Sequence, residues 1–484
     1  MSTDERKHHM ENYKLFLNGQ WQAGSGVLTV VDPATDQPFA EVATIDRAGA
    51  RQALHDAEAA FAGWKALTAK ARGDFLRAVA GELGARRDKV ARLITMENGK
   101  PLAQALGEVA MTIDHLLWYA EEARRAYGRV VPNQADGKRH LVVRQPIGVV
   151  GAIAPWNFPL VLAIRKVAPA LAAGCPVVLK PASATPLSAL EFARCVEAAG
   201  LPKGVFQVVV GPASAIADEM LENPVCRKIS FTGSTSVGKY LISGAAKKCT
   251  LLSLELGGNA PLIIFDDADF DQAIEGALIT KFRNTGQSCI AANRLYVHRP
   301  IHDRFVQALV ARGRALKVGN GLEDGIDIGP MIDAKALAAA LAFVEDAVAG
   351  GARILAGGKR HGEKGNFLQP TVLVDVSADS KCLQEEIFAP IAVVLPFDTE
   401  EEVLALANDT DFGLAAYAFT SDLNRAFRVA ETLEAGTVGI NDPVPSTSNC
   451  PFGGFKQSGW GRELGSEGLD AYLETKHISI AGIR

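Results

Sequence analysis

Cys289 stands in KFRNTGQSCI (281–290), among polar and small residues rather than inside an apolar run. A thiol in that setting has four possible uses: packing, half of a disulfide, a metal ligand, or a nucleophile. Two other residues bear on the choice. Glu255, in LELGGNAP (254–261), ends a β-rich run just before two glycines. It reads either as a solvated loop carboxylate or as a general base at a tight turn whose glycines let the backbone yield to substrate. Asn157, in APWNFPL (154–160), either caps the helix that begins PLVLAIRKVAPAL or donates its amide N–H to a developing oxyanion. ISFTGSTSVGKYL (229–241) runs strand, glycine-rich turn, helix, so that helix N–H groups can face a pyrophosphate. The spacing from Gly233 to Gly238 fits neither GxGxxG nor a P-loop, and alone it supports only a strand-to-helix turn.

The other uses of the thiol find little support. The seven cysteines, Cys175, Cys195, Cys226, Cys249, Cys289, Cys382 and Cys450, are odd in number and form no CxxC pair. Zinc-ribbon and thioredoxin-type sites are therefore unsupported. His8 and His9 sit in a polar tail and no HxxxH spacing occurs, so no metal is expected. The opening MSTDERKHHMENYKL lacks the apolar core of a secretion signal, which points to a reducing cytoplasm without a disulfide framework.

The elements that must position these residues follow from pattern. A chain of 484 residues with net charge −5 is a soluble globular protein of two or three domains without a basic nucleic-acid footprint. NGQW and DPATDQP, within residues 12–40, mark hairpins. From 47 to 126 apolar residues recur three and four apart, predicting helices with a break at NGKP (98–101). From 147 onward short apolar runs alternate with helical stretches: IGVVGAIAP, CPVVLKP, VFQVVVG, KISFTG and LLSLELGG, then APLIIFDDAD, NRLYVH, GARILAGG, IAVVLPFD and AGTVGIND. Strands buried on both faces and alternating with helices make parallel sheets, so the fold class is α/β with two such domains. The uncharged stretch 147–164 contains Pro155, Asn157 and Pro159 and reads as strand, loop and helix rather than a membrane span. LVVRQP (141–146) and the final YLETKHISI lie outside both series; they pair either with another subunit or with each other.

Taken in order, PWNFP, VLKPAS, FTGST, LELGG, GQSC, EEIFAP (385–390) and PFGGFKQSGWGRE (451–463) resemble the aldehyde dehydrogenase superfamily from about residue 12 to the C-terminus. The resemblance implies two Rossmann-like parallel-sheet domains and a small β oligomerisation arm. It places the NAD(P)-binding domain at 1–123 and 144–255, the catalytic domain at 256–464, and the arm at 124–143 and 465–484. It implies Cys289 as nucleophile, Glu255 as general base and Asn157 as oxyanion donor. It implies cofactor contacts by Trp156, Lys180 (adenosine ribose), Ser183, Gly211, Gly233, Ser234 (pyrophosphate), Glu386 (nicotinamide ribose) and Phe388 (beside the nicotinamide). Ala389 stands where the family usually has glycine, so a local backbone adjustment is expected at Phe388.

The implied chemistry has a thiol requirement. A free thiol is only a few per cent ionised near neutrality; lowering its pKa toward ~7 gains roughly tenfold in thiolate. Helix N–H groups and a bound nicotinamide cation are expected to do this. The presence of Glu255 argues for water, not coenzyme A, as the acceptor of the acyl group.

LAIRKVAPALAAGCP, GALITKFRNTGQSC and NDPVPSTSNCPFGG resemble the succinate-semialdehyde dehydrogenase branch. Arg165, Arg283 and Ser446 fall where that branch binds the distal carboxylate of its substrate, a task suited to a guanidinium fork and a hydroxyl. For each arginine the plain alternative is a surface ion pair. Many relatives carry a second cysteine two positions after the nucleophile; here Ala291 removes that redox switch. The proline-rich loop DPVPSTSN (442–449) shapes the substrate mouth and leaves glutarate semialdehyde, 2-oxoglutarate semialdehyde and aromatic aldehydes as alternatives. Ser183, three residues after Lys180, replaces a carboxylate that would repel a 2′-phosphate, so NADP is expected to be accepted and NAD remains usable. A carboxylated small-molecule aldehyde, a homo-oligomer (dimer or tetramer), and neither nucleic acid nor membrane complete the expected partners.

Overall fold

The computed structural model describes residues 10–482; His8, His9 and the outermost residues of the expected first and last segments lie outside that range. Leu15–Leu17 and Gln20–Gln22 form a hairpin around Asn18 and Gly19, whose φ values of 47° and 70° are those of the two-residue turn favoured by Asn-Gly. Gly26–Asp32 and Gln37–Thr44 form the second hairpin. Four helices follow: Arg47–Ala66, Ala69–Ala85, Arg87–Asn98 and Leu102–Glu122. NGKP breaks the run because Gly99 takes φ 94° as a left-handed cap and the next helix starts after Pro101.

The first series of runs builds one sheet in the order Phe206–Val208, Val177–Lys180, Val149–Ile153, Cys226–Thr232, Leu251–Glu255. These five are mutually parallel, and Gly459–Trp460 closes the far edge antiparallel against Leu254 and Glu255. The earliest strand in sequence, Val149–Ile153, lies between the second and the fourth. Strand order reverses there, and such sheets bind ligands in the crevice beyond the carboxyl ends of the strands at that reversal. All five residues of Val149–Ile153 are buried, as are all 13 of the following helix, Val161–Ala173, so the uncharged stretch is interior strand, loop and helix. Among the described residues no helix is long and apolar enough to cross a membrane.

The second series builds a seven-stranded sheet, ordered Arg353–Ala356, Thr371–Val374, Ile391–Phe397, Ala292–His298, Ala260–Ile264, Ala415–Phe419, Thr437–Ile440. It is parallel except at its first pair. Two of its strands escape the sequence pattern. Thr371–Val374 has only 4 residues, and Ala415–Phe419 carries three alanines, which signal helix as readily as strand. The two strands outside both series pair with each other: Leu473–Ala481 runs antiparallel to Lys138–Pro146 along its whole length, with Arg129–Val131 on the other side.

Candidate functional site

The crevice at the reversal holds a cavity of about 210 Å³. Three chain segments supply its walls: Trp156 and Asn157 after Val149–Ile153, Gly233 and Ser234 after Cys226–Thr232, and Leu256 and Gly257 after Leu251–Glu255. From the second sheet come Cys289, Glu386 and Phe388. Lys180, Ser183 and Gly211 do not line this cavity. They follow the strands Val177–Lys180 and Phe206–Val208 at the same end of the sheet. A Cβ at Gly211 would stand 2.2 Å from the Ile45 carbonyl oxygen, so close backbone packing accounts for that glycine.

Cys289 sits on a backbone held in an uncommon shape. Asn284, Thr285 and Gly286 have φ of 52°, 58° and 70°, three successive left-handed residues. Non-glycine residues there persist only when their surroundings over-determine them, and the hydrogen bonds do so. Asn284 N donates to Gln104 Oε1 at 2.8 Å, Thr285 Oγ1 to the Gly329 carbonyl at 3.1 Å, and Gln287 Oε1 accepts from Ile332 N at 2.9 Å. Asn157 is fastened to the same loop: its Nδ2 donates to the Gln287 carbonyl at 3.1 Å and its own carbonyl accepts from Asn284 Nδ2 at 2.9 Å. Asn157 does not cap the helix Val161–Ala173; its first N–H groups go to Glu108.

Burial pushes the Cys289 thiol up to about 12, with Glu386 and Glu255 adding to the rise and Arg165 opposing it. This rise belongs to the protein by itself; the lowering expected above draws on a bound nicotinamide cation as well. The residues after Cys289 enter the strand Ala292–His298, not a helix, so no helix N-terminus begins at the sulfur. The protein alone keeps the thiol protonated.

Glu255 is no solvated loop carboxylate: it is 3% exposed. Of the two glycines after it, Gly257 lines the cavity and Gly258 makes room for protein. A Cβ at Gly258 would stand 2.3 Å from the Cys289 carbonyl oxygen, and Gly258 N donates to Glu386 Oε1 at 3.1 Å. The Glu255 carboxyl is raised well above its ordinary value by burial, then by Glu463, against the pull of Lys166, Arg165 and Arg462. The strand Gly459–Trp460 brings Glu463 there. Lys166, fully buried, donates to both Thr232 Oγ1 and Glu463 Oε1. Burial likewise lifts Glu386 to about 7, opposed by the Gly258 N–H and by Lys281.

Arg165 and Ser446 come together, Nη2 donating to Oγ at 3.0 Å. Arg283 lies with its guanidinium carbon 5.4 Å from the Phe158 ring centroid. Burial lowers its pKa, and the Glu108 carboxylate opposes that fall. Neither arginine belongs to the ion pairs among the described residues, which disposes of the surface-pair alternative.

The residues fit a dinucleotide. Ser234 caps the helix Thr235–Ala245 at the cavity wall, leaving helix N–H groups for phosphate oxygens. Trp156 meets Phe388 edge-on at 5.4 Å, making an aromatic wall. Phe388 takes φ 51°. Burial lowers Lys180 to about 8, and its ammonium reaches only the neighbouring Pro181 carbonyl, so an anion would suit it. Among the described residues no cluster of acidic, histidine or cysteine side chains could hold a metal ion.

Sequence reasoning passed over Lys166 and Glu463. Their signals were present: Lys166 is a charge inside an apolar helix, which has to find a partner, and Glu463 ends the last motif. Lys100, read only as part of a helix break, is also buried against this site.

The model of the Aldehyde dehydrogenase family matches residues 21–478. The chain is 49% identical to the glutarate-semialdehyde dehydrogenase of Pseudomonas aeruginosa, over 97% of either chain. It is also 49% identical to the NADP-dependent succinate-semialdehyde dehydrogenase of Escherichia coli, over 96% of this chain and 97% of that one. Among solved structures it is similar to succinate-semialdehyde dehydrogenase from Burkholderia pseudomallei, with TM-score 0.96 and 47% identity, covering 97% of this chain and 98% of that one.

Proposed function

The chain belongs to the aldehyde dehydrogenase family, and from that premise we propose that it oxidises succinate semialdehyde to succinate with NADP or NAD. The observation that carries this reading is the meeting of Cys289 and Asn157 on one cavity wall with Arg165 acting on the sulfur. The segments 1–123 and 144–255 hold the dinucleotide, 256–464 carries the nucleophile, and 124–143 with 465–484 form the arm of a homo-oligomer. The exposed apolar Val130, Ile478 and Ile480 on that arm support the last assignment.

Cys289 attacks the aldehyde carbon as thiolate, and the carbonyl oxygen becomes an oxyanion. The Asn157 amide and the Cys289 backbone N–H receive that charge; one such donor is typically worth about 3–4 kcal/mol. A nicotinamide cofactor, when bound, supplies the hydride acceptor for this chemistry and a cation that favours the thiolate. Loss of hydride from the adduct carbon leaves a thioester on Cys289. Glu255 takes a proton from water, the hydroxide attacks the thioester carbon, and the C–S bond breaks to release the carboxylic acid. Lys166 and Glu463 set the proton affinity of Glu255 through their charges.

Arg165, Arg283 and Ser446 bind the distal carboxylate. Glutarate semialdehyde is the second reading, favoured by the equal identity to an enzyme of that name; one methylene is worth only about 1–3 kcal/mol of discrimination. Ser183 and Lys180 admit a 2′-phosphate. Steady-state kinetics on succinate, glutarate, aromatic and neutral aldehydes, each with NAD and NADP, test the reading. A neutral or aromatic aldehyde with the highest kcat/KM would defeat the carboxylate assignment. Glu255→Gln should give one burst of reduced cofactor and then slow turnover, and Cys289→Ala no burst.

A further inference from the structure

Behind Asn157 lies a buried ion pair that this chemistry leaves unused. The side chains of Lys100 and Glu108 have no exposed surface, and Lys100 Nζ stands 2.6 Å from Glu108 Oε2. The same ammonium donates to the Asn157 carbonyl at 2.7 Å and lies 3.9 Å from the Phe158 ring centroid. The other carboxylate oxygen, Oε1, accepts from Leu160 N at 2.9 Å and Val161 N at 3.2 Å. Those N–H groups open the helix Val161–Ala173, which has no cap from its own N-cap side chain. Two side chains thus hold both ends of the turn from Asn157 to Val161.

A buried pair of this kind is a poor source of stability. Replacing both partners by uncharged groups of similar volume is often neutral, while removing one leaves a costly unpaired charge. What this pair supplies is position. The Asn157 carbonyl receives a second bond from Asn284, and the Trp156 carbonyl one from Asn98 Nδ2 at 3.0 Å. With its backbone pinned on that side, Asn157 can spend one amide N–H on the Gln287 carbonyl and keep the other for the cavity.

We propose that Lys100 and Glu108 are positioning residues for acylation of Cys289: they fix the Asn157 amide by tying its backbone to the first turn of the helix that carries Arg165. This rests on the reading of Asn157 as oxyanion donor.

The test uses the full chain and two measures of acylation. One is the burst of reduced cofactor with succinate semialdehyde; the other is nitrophenolate release from p-nitrophenyl acetate without cofactor. Lys100→Met combined with Glu108→Gln removes both charges, keeps apolar volume, and leaves an amide oxygen for Leu160 and Val161. This variant should melt near the parent, keep KM for aldehyde and cofactor, and acylate about tenfold or more slowly in both measures. A folded variant that acylates at the parent rate overturns the inference. Should the double variant fail to fold, Glu108→Gln alone decides, because it removes the anion that anchors Lys100 while preserving an acceptor. Slower acylation at unchanged KM then supports the inference, and an unchanged rate overturns it. Asn157→Ala runs beside them. If it leaves acylation unchanged, the oxyanion reading itself falls; if it alone slows acylation, only the positioning role falls.

Discussion

Arg165 and Ser446, 281 positions apart in the chain, are joined by a hydrogen bond of 3.0 Å from Nη2 to Oγ. The guanidinium carbon also stands 4.8 Å from the Phe452 ring centroid, and its Nε has no partner among the described residues. A guanidinium that is 6% exposed and lacks a carboxylate is in an unfavourable state. On the proposed reading a substrate carboxylate would supply the missing charge, and part of the binding energy would be the relief of that state.

Removing one arginine of this set should therefore discriminate between substrates. Arg283→Ala is expected to raise KM for succinate semialdehyde by about thirtyfold or more, the scale of a truncated charge-assisted contact. KM for a neutral aldehyde of similar length should change only a few-fold. Equal rises on both would take Arg283 out of the carboxylate site.

The thiol makes a separate prediction. Burial raises the Cys289 thiol well above its ordinary value, so only a very small fraction is thiolate at pH 7. Alkylation by iodoacetamide, followed at residue 289 by mass spectrometry, should climb with pH from about 7 to about 9.5 without levelling off. The exposed Cys249 and Cys450 serve as internal controls. A plateau near pH 8 at residue 289 would show a thiol of ordinary acidity.

The proposed acceptance of NADP places cofactor choice in a short turn. Ser183 follows Lys180, the last residue of the strand next to the edge of the six-stranded sheet; a carboxylate there would grip the ribose 2′-hydroxyl and repel a 2′-phosphate. Ser183→Glu should lower kcat/KM for NADP relative to NAD by about tenfold or more, through KM. An unchanged ratio would mean that the 2′-phosphate is read elsewhere.

Legibility followed covalent distance. Asn157, Ser234 and Glu255 each sit at or just beyond a strand end and Cys289 shortly before one, but local pattern left their uses open, and the ordered motifs of the family resemblance singled them out. Lys100 lies 57 positions from the Asn157 carbonyl it holds, and Lys166 lies 297 from Glu463; no local pattern pairs them. The two domains were legible because strands buried on both faces read as apolar runs. Ala415–Phe419 was not, because alanine marks no secondary structure by itself. The burial of Cys289 was not legible either: it is set by the packed second sheet, not by the polar neighbours in KFRNTGQSC.

Burial of Glu255 should appear in stability. Its folded pKa lies well above the ordinary 4.5. Above 4.5 the unfolded chain releases a proton that the folded protein keeps, so this group makes folding less favourable as pH rises toward the folded value. Glu255→Gln has no such proton. Its melting midpoint should exceed the parent's by a margin that widens as pH rises above about 4.5. A constant margin would mean that the carboxyl titrates normally when folded.

The last prediction concerns the pH at which Glu255 becomes a base. Burial is the larger cause of its raised pKa and Glu463 the next. Glu463→Gln removes that neighbouring negative charge and leaves Lys166, buried beside Thr232, to favour the Glu255 carboxylate. Thioester hydrolysis requires the carboxylate, so its rate rises with pH through the Glu255 pKa, and the rise should move to lower pH by roughly one unit in the variant. Single-turnover acylation has no need of this base and should keep its own pH dependence. Measuring the burst and the subsequent turnover across pH separates the two steps. A rise that stays in place or moves to higher pH would overturn the assigned balance of charges around the base.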